Sequence, residues 1–388
     1  MNEHEFTPTI LAILREHFGG SAEEVLERSP LLQYLNIKTR SASRGSKSRG
    51  SFGNHYALYV LAEDYLNGAF NETNPYADYE GARFADLFRR QRELPFGAKL
   101  QNHALNHRLN EEFGKYFPTE NLRPILRDPE TNRYWLNERL FQVPTSDGTK
   151  NIASAVVDII DAYVLAKQDS FKQFIEQCRV LQELPEEHRH EAIEFLDGLL
   201  APTVDARIFE IVSYAILKAY YRGQTVFFGF DEAEIEPHPL MLFKTGRTNA
   251  NDGGIDFVMQ PLGRFFQVTE SVDVKKYFLD IDKVQHFPIT FVVKSEDSPE
   301  EITQRIAEQA RRLYTVDRIV TRYIAAVEEI INLPTLRELL AEAVADGELT
   351  EVLSEVALQA RIEFNYEEDD DPEDEDPSID RPVDGSSS

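Results

Sequence analysis

The stretch "NDGGIDFVMQPLGRFFQVTE" (residues 251–270) decides how the second half of the chain folds. Two runs of apolar and aromatic residues, "IDFVMQ" and "RFFQVTE", flank the turn sequence "PLG", which predicts a pair of neighbouring strands. Side chains alternate between the two faces of a strand, so Gln267 and Thr269 share one face. If the strands are neighbours, one face of the second strand looks towards Asp256. An apolar hairpin therefore carries an acid in one strand and a polar pair in the next.

The segments around this hairpin predict a mixed sheet covered by helices. "TVDARIFEIVSYAILKAYYRG" (203–223) has helical periodicity, and "TVFFGF" (225–230) is typical of a strand. After the hairpin, "VDVKKYFLDIDKV" (272–284) predicts a short helix and "FPITFVVKS" (287–295) a fourth strand. Helical segments at 299–332 and 335–358 follow. Hairpin strands followed by a crossover helix favour an α/β fold with helices on both sides of a mixed sheet.

Composition divides the chain into four parts. Residues 1–141 are predicted to be a mainly helical domain that contains a basic, Ser- and Gly-rich loop at 38–49. "QVPTSDGTKN" (142–151) is predicted to be a linker. Residues 152–358 are predicted to form the second domain, with its core at about 204–294. Residues 359–388 are predicted to be an acidic disordered tail, which we interpret as solubilising rather than as a mimic of DNA charge.

The charge distribution bears on the class of partner. The net charge is −27, of which residues 1–150 contribute about −1, residues 151–366 contribute −16 and the tail 367–388 contributes −10. A nearly neutral first half can carry a basic surface for nucleic acid despite the overall acidity. The single cysteine, Cys178, excludes an intramolecular disulfide framework and a multi-thiolate metal site. No apolar run approaches the ~20 residues that span a bilayer, so we expect a cytoplasmic protein with no membrane partner.

The hairpin also carries the donor set of a metal site. The carboxylate of Asp256, the amide oxygen of Gln267 and a main-chain carbonyl, that of Val268, form the all-oxygen environment that Mg²⁺ prefers. Basic residues are clustered nearby: Lys244, Arg247, Arg264, Lys275 and Lys276. Acid flanked by base is typical of metal-dependent phosphodiesterases, in which cations hold phosphate. The alternative is a half-buried hairpin with polar residues on its exposed face.

The order of elements in this region is a helix with Glu210, a strand, "GGID", a strand, "QVT", a helix and a strand. This order resembles that of the PD-(D/E)XK nuclease superfamily, and most closely that of its type II restriction-endonuclease branch. The resemblance covers about residues 204–294. It implies a restriction-endonuclease-like mixed sheet flanked by helices and Mg²⁺ as the cofactor. It also implies that Asp256 is the central metal ligand, that Gln267 stands at the family's Glu/Gln position, and that Glu210 and the Val268 carbonyl complete the metal ligands.

Thr269 departs from the family pattern, because the family's lysine would fall at this position. Lys275, Lys276 or Lys244 can supply the missing charge from elsewhere; otherwise the site is weakened or inactive. The predicted catalytic residues are Asp256, Gln267, Thr269, Glu210 and Lys275.

By the resemblance, we expect a Mg²⁺-dependent, sequence-specific endonuclease of double-stranded DNA, a type II restriction enzyme that hydrolyses phosphodiesters with metal-activated water. Cutting two strands needs two active sites, so we expect a homodimer, with a cognate DNA methyltransferase in the same system. We expect the helical region 1–141 to recognise DNA and residues 152–358 to be the nuclease domain. The residues predicted to contact DNA are Lys38, Arg40, Arg44, Lys47, Arg49, Lys244, Arg247 and Arg264. Two alternatives stay open, a DNA-binding protein with a degenerate nuclease core and a repair or defence nuclease without strict specificity.

Overall fold

The computed structural model of the chain describes residues 3–40, 49–98, 100–119, 122–245 and 255–364, apart from the side chains of residues 49–51 and 364. Its helices are α1 (Thr7–Phe18), α2 (Ala22–Arg28), α3 (Pro30–Lys38), α4 (Arg49–Asn67), α5 (Phe84–Glu93), α6 (Leu109–Tyr116), α7 (Glu138–Phe141), α8 (Ala153–Gln182), α9 (Arg189–Leu199), α10 (Ala206–Tyr221), α11 (Val274–Lys283), α12 (Pro299–Leu313), α13 (Asp317–Ala325), α14 (Leu333–Ala345) and α15 (Leu349–Phe364). Its strands are β1 (Ala82–Arg83), β2 (Ile125–Asp128), β3 (Arg133–Leu136), β4 (Gln142–Thr145), β5 (Gly148–Asn151), β6 (Thr225–Phe228), β7 (Glu236–Pro239), β8 (Met241–Lys244), β9 (Phe257–Gln260), β10 (Arg264–Thr269), β11 (Ile289–Val293) and β12 (Val327–Ile331).

The first hydrophobic core is mainly helical. It runs from Phe6 to Val164 and packs α1 and α4 against the first half of α8. A small sheet in the order β1-β3-β2 lies against it. No helix within the described residues is long and apolar enough to cross a membrane.

Residues 142–151 form a hairpin instead of the predicted linker. β4 and β5 pair antiparallel, and the Ser-Asp-Gly sequence that suggested a linker lies at and beside their turn. Val143 is buried in the first core. The 30-residue helix α8 begins at Ala153, directly after this hairpin, and contributes to both cores, so the boundary between them falls inside α8, between Val164 and Phe171. The turn-forming residues therefore indicate a tight turn and not a domain boundary. The boundary can lie inside α8 because an amphipathic helix can bury its apolar face first in one core and then in the next.

The second half is built on a five-stranded mixed sheet in the order β12-β11-β10-β9-β8. β8, β9 and β10 are antiparallel neighbours, whereas β10, β11 and β12 are parallel. Parallel neighbours need crossover connections, which α11 supplies between β10 and β11, and α12 with α13 between β11 and β12. Phe266 and Val292 face a core shared with α10, α14 and α15, and Phe291 faces a core shared with α11 and α12. The predicted α/β class, with helices on both sides of a mixed sheet, is confirmed.

Several predicted elements differ in the structure. "TVFFGF" contributes β6, which pairs with β7 in a separate two-stranded sheet. β8 was not predicted, and β12 lies within the segment 299–332 that was predicted to be helical. The short sequence "VEEII" becomes a strand because it pairs with β11, a tertiary contact that local propensity does not report. The predicted disordered tail also starts too early, because α15 continues to Phe364 and buries Ala360 and Glu363.

The hairpin of β9 and β10 positions the functional residues. Phe266 pairs with Phe257, and Gly263 in the turn has a φ of 67°, a left-handed conformation that favours glycine. Asp256 therefore stands just before β9, opposite the far end of β10, where Thr269 lies. Phe266 and Val268 face the core under α10, so Gln267 and Thr269 face the other side of the sheet.

Candidate active site

A cavity of about 520 Å³ opens at the sheet edge where β9 begins and β10 ends. The beginning of α10 and the first turn of α11 contribute to its wall. Its lining includes Glu210, Asp256, Gln267, Val268 and Thr269, which are the residues predicted from the hairpin and the preceding helix. Strand register and helix packing thus bring four of the five predicted catalytic side chains to one cavity.

The backbone of the hairpin fixes the carboxylate of Asp256. The Asp256 N–H donates to the Phe266 carbonyl at 3.0 Å, and the Val268 N–H donates to Asp256 Oδ2 at 2.7 Å. Where the pairing of β9 and β10 ends, the carboxylate of Asp256 thus accepts the Val268 N–H in place of a backbone carbonyl. Burial first, and then the nearby carboxylate of Glu210, raise the pKa of Asp256 to about 7, although the Val268 N–H opposes this shift. The carboxyl group of Asp256 therefore exchanges its proton near neutral pH.

Glu210 is held on α10 between two cations. Asp205 caps the helix, its Oδ1 accepting from the Arg207 N–H at 2.8 Å. The Glu210 side chain is only 7% exposed; its Oε1 lies 3.2 Å from Lys244 Nζ, and its Oε2 accepts from Arg207 Nη1. A buried carboxylate needs such partners. Lys244, predicted to contact DNA, instead neutralises Glu210 in this arrangement.

Gln267 presents an oxygen to which no described residue donates a hydrogen bond. Gln267 is 7% exposed, and its Nε2 donates to the Val268 carbonyl at 3.3 Å. Its Oε1 is buried and has no hydrogen-bond partner within the described residues. An unsatisfied buried acceptor costs about 1–3 kcal/mol. A cation next to this oxygen would remove that cost.

These oxygens fit a hard divalent cation. Asp256 and Glu210 supply carboxylates, and Gln267 Oε1 and the Val268 carbonyl supply neutral oxygens, which is the donor chemistry that Mg²⁺ prefers. No group of three or more His, Cys, Asp or Glu side chains that could hold a metal occurs in the part of the chain that the structure describes. A cation here would therefore be bound by two carboxylates together with amide or carbonyl oxygens and water.

The structure distinguishes the three lysines that the sequence offered in place of the family's lysine. α11 begins after its cap Asp273, and Lys276 in the first turn lines the cavity, with its Nζ 3.3 Å from Thr269 Oγ1. Lys275 is exposed and is not part of the cavity lining. Since Lys244 binds Glu210, Lys276 is the lysine that places a positive charge at the end of β10.

The predicted DNA contacts are dispersed. Lys38 ends α3 and its Nζ lies 2.6 Å from Glu112 Oε1, with only 17% of its side chain exposed, so it belongs to a partly buried ion pair rather than a loop. Arg264 starts β10, at the opposite end of the strand from the cavity, and its Nε lies 3.0 Å from Thr290 Oγ1 and 3.4 Å from Glu328. Arg40 is exposed. Arg44, Lys47, Arg247 and the side chain of Arg49 lie outside the described residues.

Sequence reasoning missed Arg207 and Glu363. Arg207 lines the cavity, and its Nε lies 3.1 Å from Glu363 Oε1 in the last turn of α15. Helical spacing placed Arg207 three residues before Glu210 and could have suggested their contact. Nothing in the sequence connects Glu363 to α10, because the two are brought together only by the packing of α15 on α10.

The fold and the cavity define an α/β protein that places two carboxylates and an unsatisfied amide oxygen beside an arginine and a lysine. Comparisons of the chain with protein-family models, with curated proteins and with solved structures found no match. The functional proposal therefore depends on the chemistry of the cavity residues.

Proposed function

We propose that the chain is a Mg²⁺-dependent phosphodiesterase that cleaves double-stranded DNA. The observation that carries the proposal is the shared cavity of Asp256, Glu210 and Gln267 with the cations Arg207 and Lys276. Oxygen donors of this kind bind a divalent cation, and neighbouring cations hold a phosphate whose charge increases during hydrolysis. A site made only to bind an anion would have no use for the buried carboxylate of Glu210 and the partly buried carboxylate of Asp256.

The connectivity of the second half supports a restriction-endonuclease-like core. α10 is followed by the antiparallel strands β8, β9 and β10, then by the crossover helix α11 and the parallel strand β11. The resemblance was based on a strand before "GGID" at residues 225–230, but β6 pairs with β7 in a separate hairpin and β8 takes this place beside β9. The rest of the order is the one on which the resemblance was based. The cavity lies at the end of the central hairpin, where that resemblance expects the metal site.

Mg²⁺ would be held by Asp256, Glu210, Gln267 Oε1 and the Val268 carbonyl. When bound, it supplies positive charge that polarises the phosphodiester and makes water more acidic. Asp256 must lose its proton to act as a ligand, and its pKa of about 7 makes that loss easy at slightly alkaline pH.

The protein itself provides orientation and charge. The Val268 N–H holds Asp256 Oδ2 in place, and Asp205 fixes the beginning of α10 so that Glu210 faces the cavity. The Lys276 ammonium, beside Thr269 Oγ1, is placed to hold a phosphate oxygen or to orient the attacking water. In hydrolysis the water gives up a proton as its oxygen bonds to phosphorus, the bond between phosphorus and one sugar oxygen breaks, and that sugar oxygen takes up a proton.

The proposed substrate and assembly depend on the resemblance to restriction endonucleases. Sequence-specific cleavage of both strands by a type II restriction enzyme requires two cavities, so we propose a homodimer that works beside a cognate DNA methyltransferase. The test is incubation of the purified protein with several long duplex DNAs, in Mg²⁺ or in EDTA. Discrete Mg²⁺-dependent fragments support a sequence-specific enzyme, whereas a smear supports a repair or defence nuclease. DNA that stays intact would contradict the proposed activity.

A second candidate function is a DNA-binding protein with an inactive nuclease core. Thr269 stands at the lysine position of the family, and Glu210 is already neutralised by Lys244 and Arg207. This alternative predicts duplex binding that is unchanged by EDTA and no cleavage under any metal. A gel-shift titration with and without EDTA distinguishes it from the nuclease.

A further inference from the structure

We propose that Arg207 binds a phosphate of the substrate once metal binding has released it from Glu210, and that Glu363 keeps its guanidinium at the cavity. In the metal-free arrangement Arg207 binds Glu210; when a divalent cation binds the carboxylates, Arg207 leaves Glu210, stays attached to Glu363 and binds a phosphate oxygen of the substrate. The inference rests on the proposed function, because it assumes that Glu210 is a metal ligand and that the substrate carries phosphate.

The geometry of Arg207 is that of a bridge. Its Nη1 donates to Glu210 Oε2, and its Nε lies 3.1 Å from Glu363 Oε1. The side chain of Arg207 is 32% exposed and lines the cavity, whereas those of Glu210 and Glu363 are 7% and 4% exposed. A guanidinium has five N–H donors in a planar fork, so these two bonds leave donors for a ligand in the cavity.

Electrostatics makes the bridge sensitive to a metal. Glu210 would have to share its oxygens between a guanidinium and a divalent cation, and these two positive groups repel each other at short distance. Glu363 is buried and outside the cavity lining, so a metal in the cavity does not take it away from Arg207. Metal binding therefore weakens the contact of Arg207 with Glu210 and leaves its contact with Glu363. Part of the guanidinium is then free to bind phosphate, and a guanidinium can bind phosphate through two N–H groups at once.

The chain offers a matched control on the same two helices. Lys218 on α10 and Glu355 on α15 form another ion pair, with Nζ 2.7 Å from Oε2. Both pairs join α10 to α15, but Lys218 and Glu355 are not part of the candidate cavity. Glu363→Gln and Glu355→Gln thus each remove one interhelical charge, and only the first affects the bridge.

The first measurement is Mn²⁺ affinity without DNA, by electron paramagnetic resonance, for the full chain and its variants. Arg207→Gln removes the competing cation, so its Mn²⁺ Kd should decrease by about three- to tenfold. Glu363→Gln leaves Arg207 with Glu210 as its charged partner, so its Kd should increase by a similar factor. Arg207→Lys keeps the charge and should bind Mn²⁺ nearly as the parent does, as should Glu355→Gln.

The second measurement is the KM and kcat of Mg²⁺-dependent cleavage. Loss of a phosphate anchor in Arg207→Gln should raise KM although the metal binds more tightly, a combination that a purely structural role of Arg207 does not produce. Thermal melting identifies any variant that fails to fold, for which Arg207→Met and Glu363→Met are the substitutes that also remove the charge.

The outcomes separate the two proposals. A parent protein that binds no Mn²⁺ would overturn the metal site and this inference together. Two results would overturn the role of Arg207 if the parent binds Mn²⁺. One is the same Mn²⁺ Kd in Glu363→Gln and Glu355→Gln, and the other is weaker Mn²⁺ binding in Arg207→Gln than in the parent. Either result would leave the metal site standing.

Discussion

The Nζ of Lys276 lies 3.3 Å from the Oγ1 of Thr269. The two residues come from different elements, since Thr269 ends β10 and Lys276 lies in the first turn of α11. The ammonium group thus reaches the end of the strand from the following helix, so a threonine at position 269 does not leave the cavity without a lysine.

Replacing Lys276 should slow cleavage much more than replacing its neighbour. Lys276→Met removes the positive charge beside Thr269, and we expect kcat to fall by about 100-fold, the size of effect typical of a lost electrostatic contact in a catalytic site. Lys275→Met removes an equal charge one residue away, outside the cavity, and should change kcat by less than about threefold. Steady-state cleavage of a labelled duplex measures both. Equal losses in the two variants would contradict the assignment of Lys276.

A rescue experiment sharpens this prediction. Thr269→Lys in the Lys276→Met background returns an ammonium group to the end of β10, and it should restore a large part of kcat. A double variant as slow as Lys276→Met alone would show that the charge has to come from α11.

Metal affinity should depend on pH through Asp256. Its carboxyl group has a pKa of about 7 without metal, and only the deprotonated form is a ligand. Below pH 7 the Mn²⁺ Kd should therefore rise by about tenfold per pH unit, and above about pH 8 it should level off. Titration calorimetry between pH 5.5 and 8.5, in buffers of different ionisation enthalpy, also counts the proton released. A Kd that is constant across this range would contradict the role of Asp256.

The same carboxyl group should lower the stability of the metal-free protein at high pH. In the unfolded chain its pKa is near 3.8 and in the folded chain about 7, so between these values the folded state binds more protons. The contribution of Asp256 to stability therefore decreases as pH rises from about 4 through 7, and the loss is complete about one pH unit above 7. Asp256→Asn has no such proton, so at pH 8 without metal it should be more stable than the parent by about 1–3 kcal/mol.

Urea unfolding at pH 8 and pH 5 tests this. The advantage of Asp256→Asn should shrink at pH 5, where the parent's carboxyl group is largely protonated. If Asp256→Asn is less stable than the parent at pH 8, then burial and Glu210 do not destabilise the ionised carboxylate of Asp256.

Gln267 should respond in opposite ways to two substitutions. Gln267→Glu turns the unsatisfied Oε1 into part of a third carboxylate, and we expect tighter Mn²⁺ binding at pH 8 and a less stable metal-free protein. Gln267→Met keeps the size of the side chain but removes the oxygen, so it should weaken Mn²⁺ binding and raise metal-free stability by about 1 kcal/mol. Equal Mn²⁺ affinities in both variants would remove Gln267 from the predicted ligands.

Local patterns were sufficient to predict which side chains meet in the central part of the candidate cavity. Strand alternation and the "PLG" turn predicted the hairpin and a shared face for Gln267 and Thr269, and the structure confirms both. Which face lies on the Asp256 side was left open, and the structure shows that it is this one. Helical periodicity predicted α10, which places Glu210 at the same cavity. These features depend on residues close in sequence, where the periods of strand and helix determine which side chains meet.

Features that depend on distant contacts could not be predicted in this way. The choice of Lys276 over Lys275 depends on the angle at which α11 leaves β10, because adjacent residues on a helix point about 100° apart. Glu363 reaches Arg207 only because α15 packs on α10. β12 is a strand only because β11 lies beside it, and the apolar side of α8 passes through both cores without a sequence signal at the boundary.

The most direct test of the proposed nuclease is a comparison of the parent with Asp256→Asn on long duplex DNAs, in Mg²⁺ and in EDTA. Asp280→Asn is the control, since Asp280 is a buried aspartate on α11 outside the cavity. We expect the parent and Asp280→Asn to give fragments in Mg²⁺ but not in EDTA, and Asp256→Asn to leave the DNA intact. Cleavage by Asp256→Asn at the parental rate, or intact DNA with the parent on every duplex, would contradict a metal-dependent nuclease at this cavity.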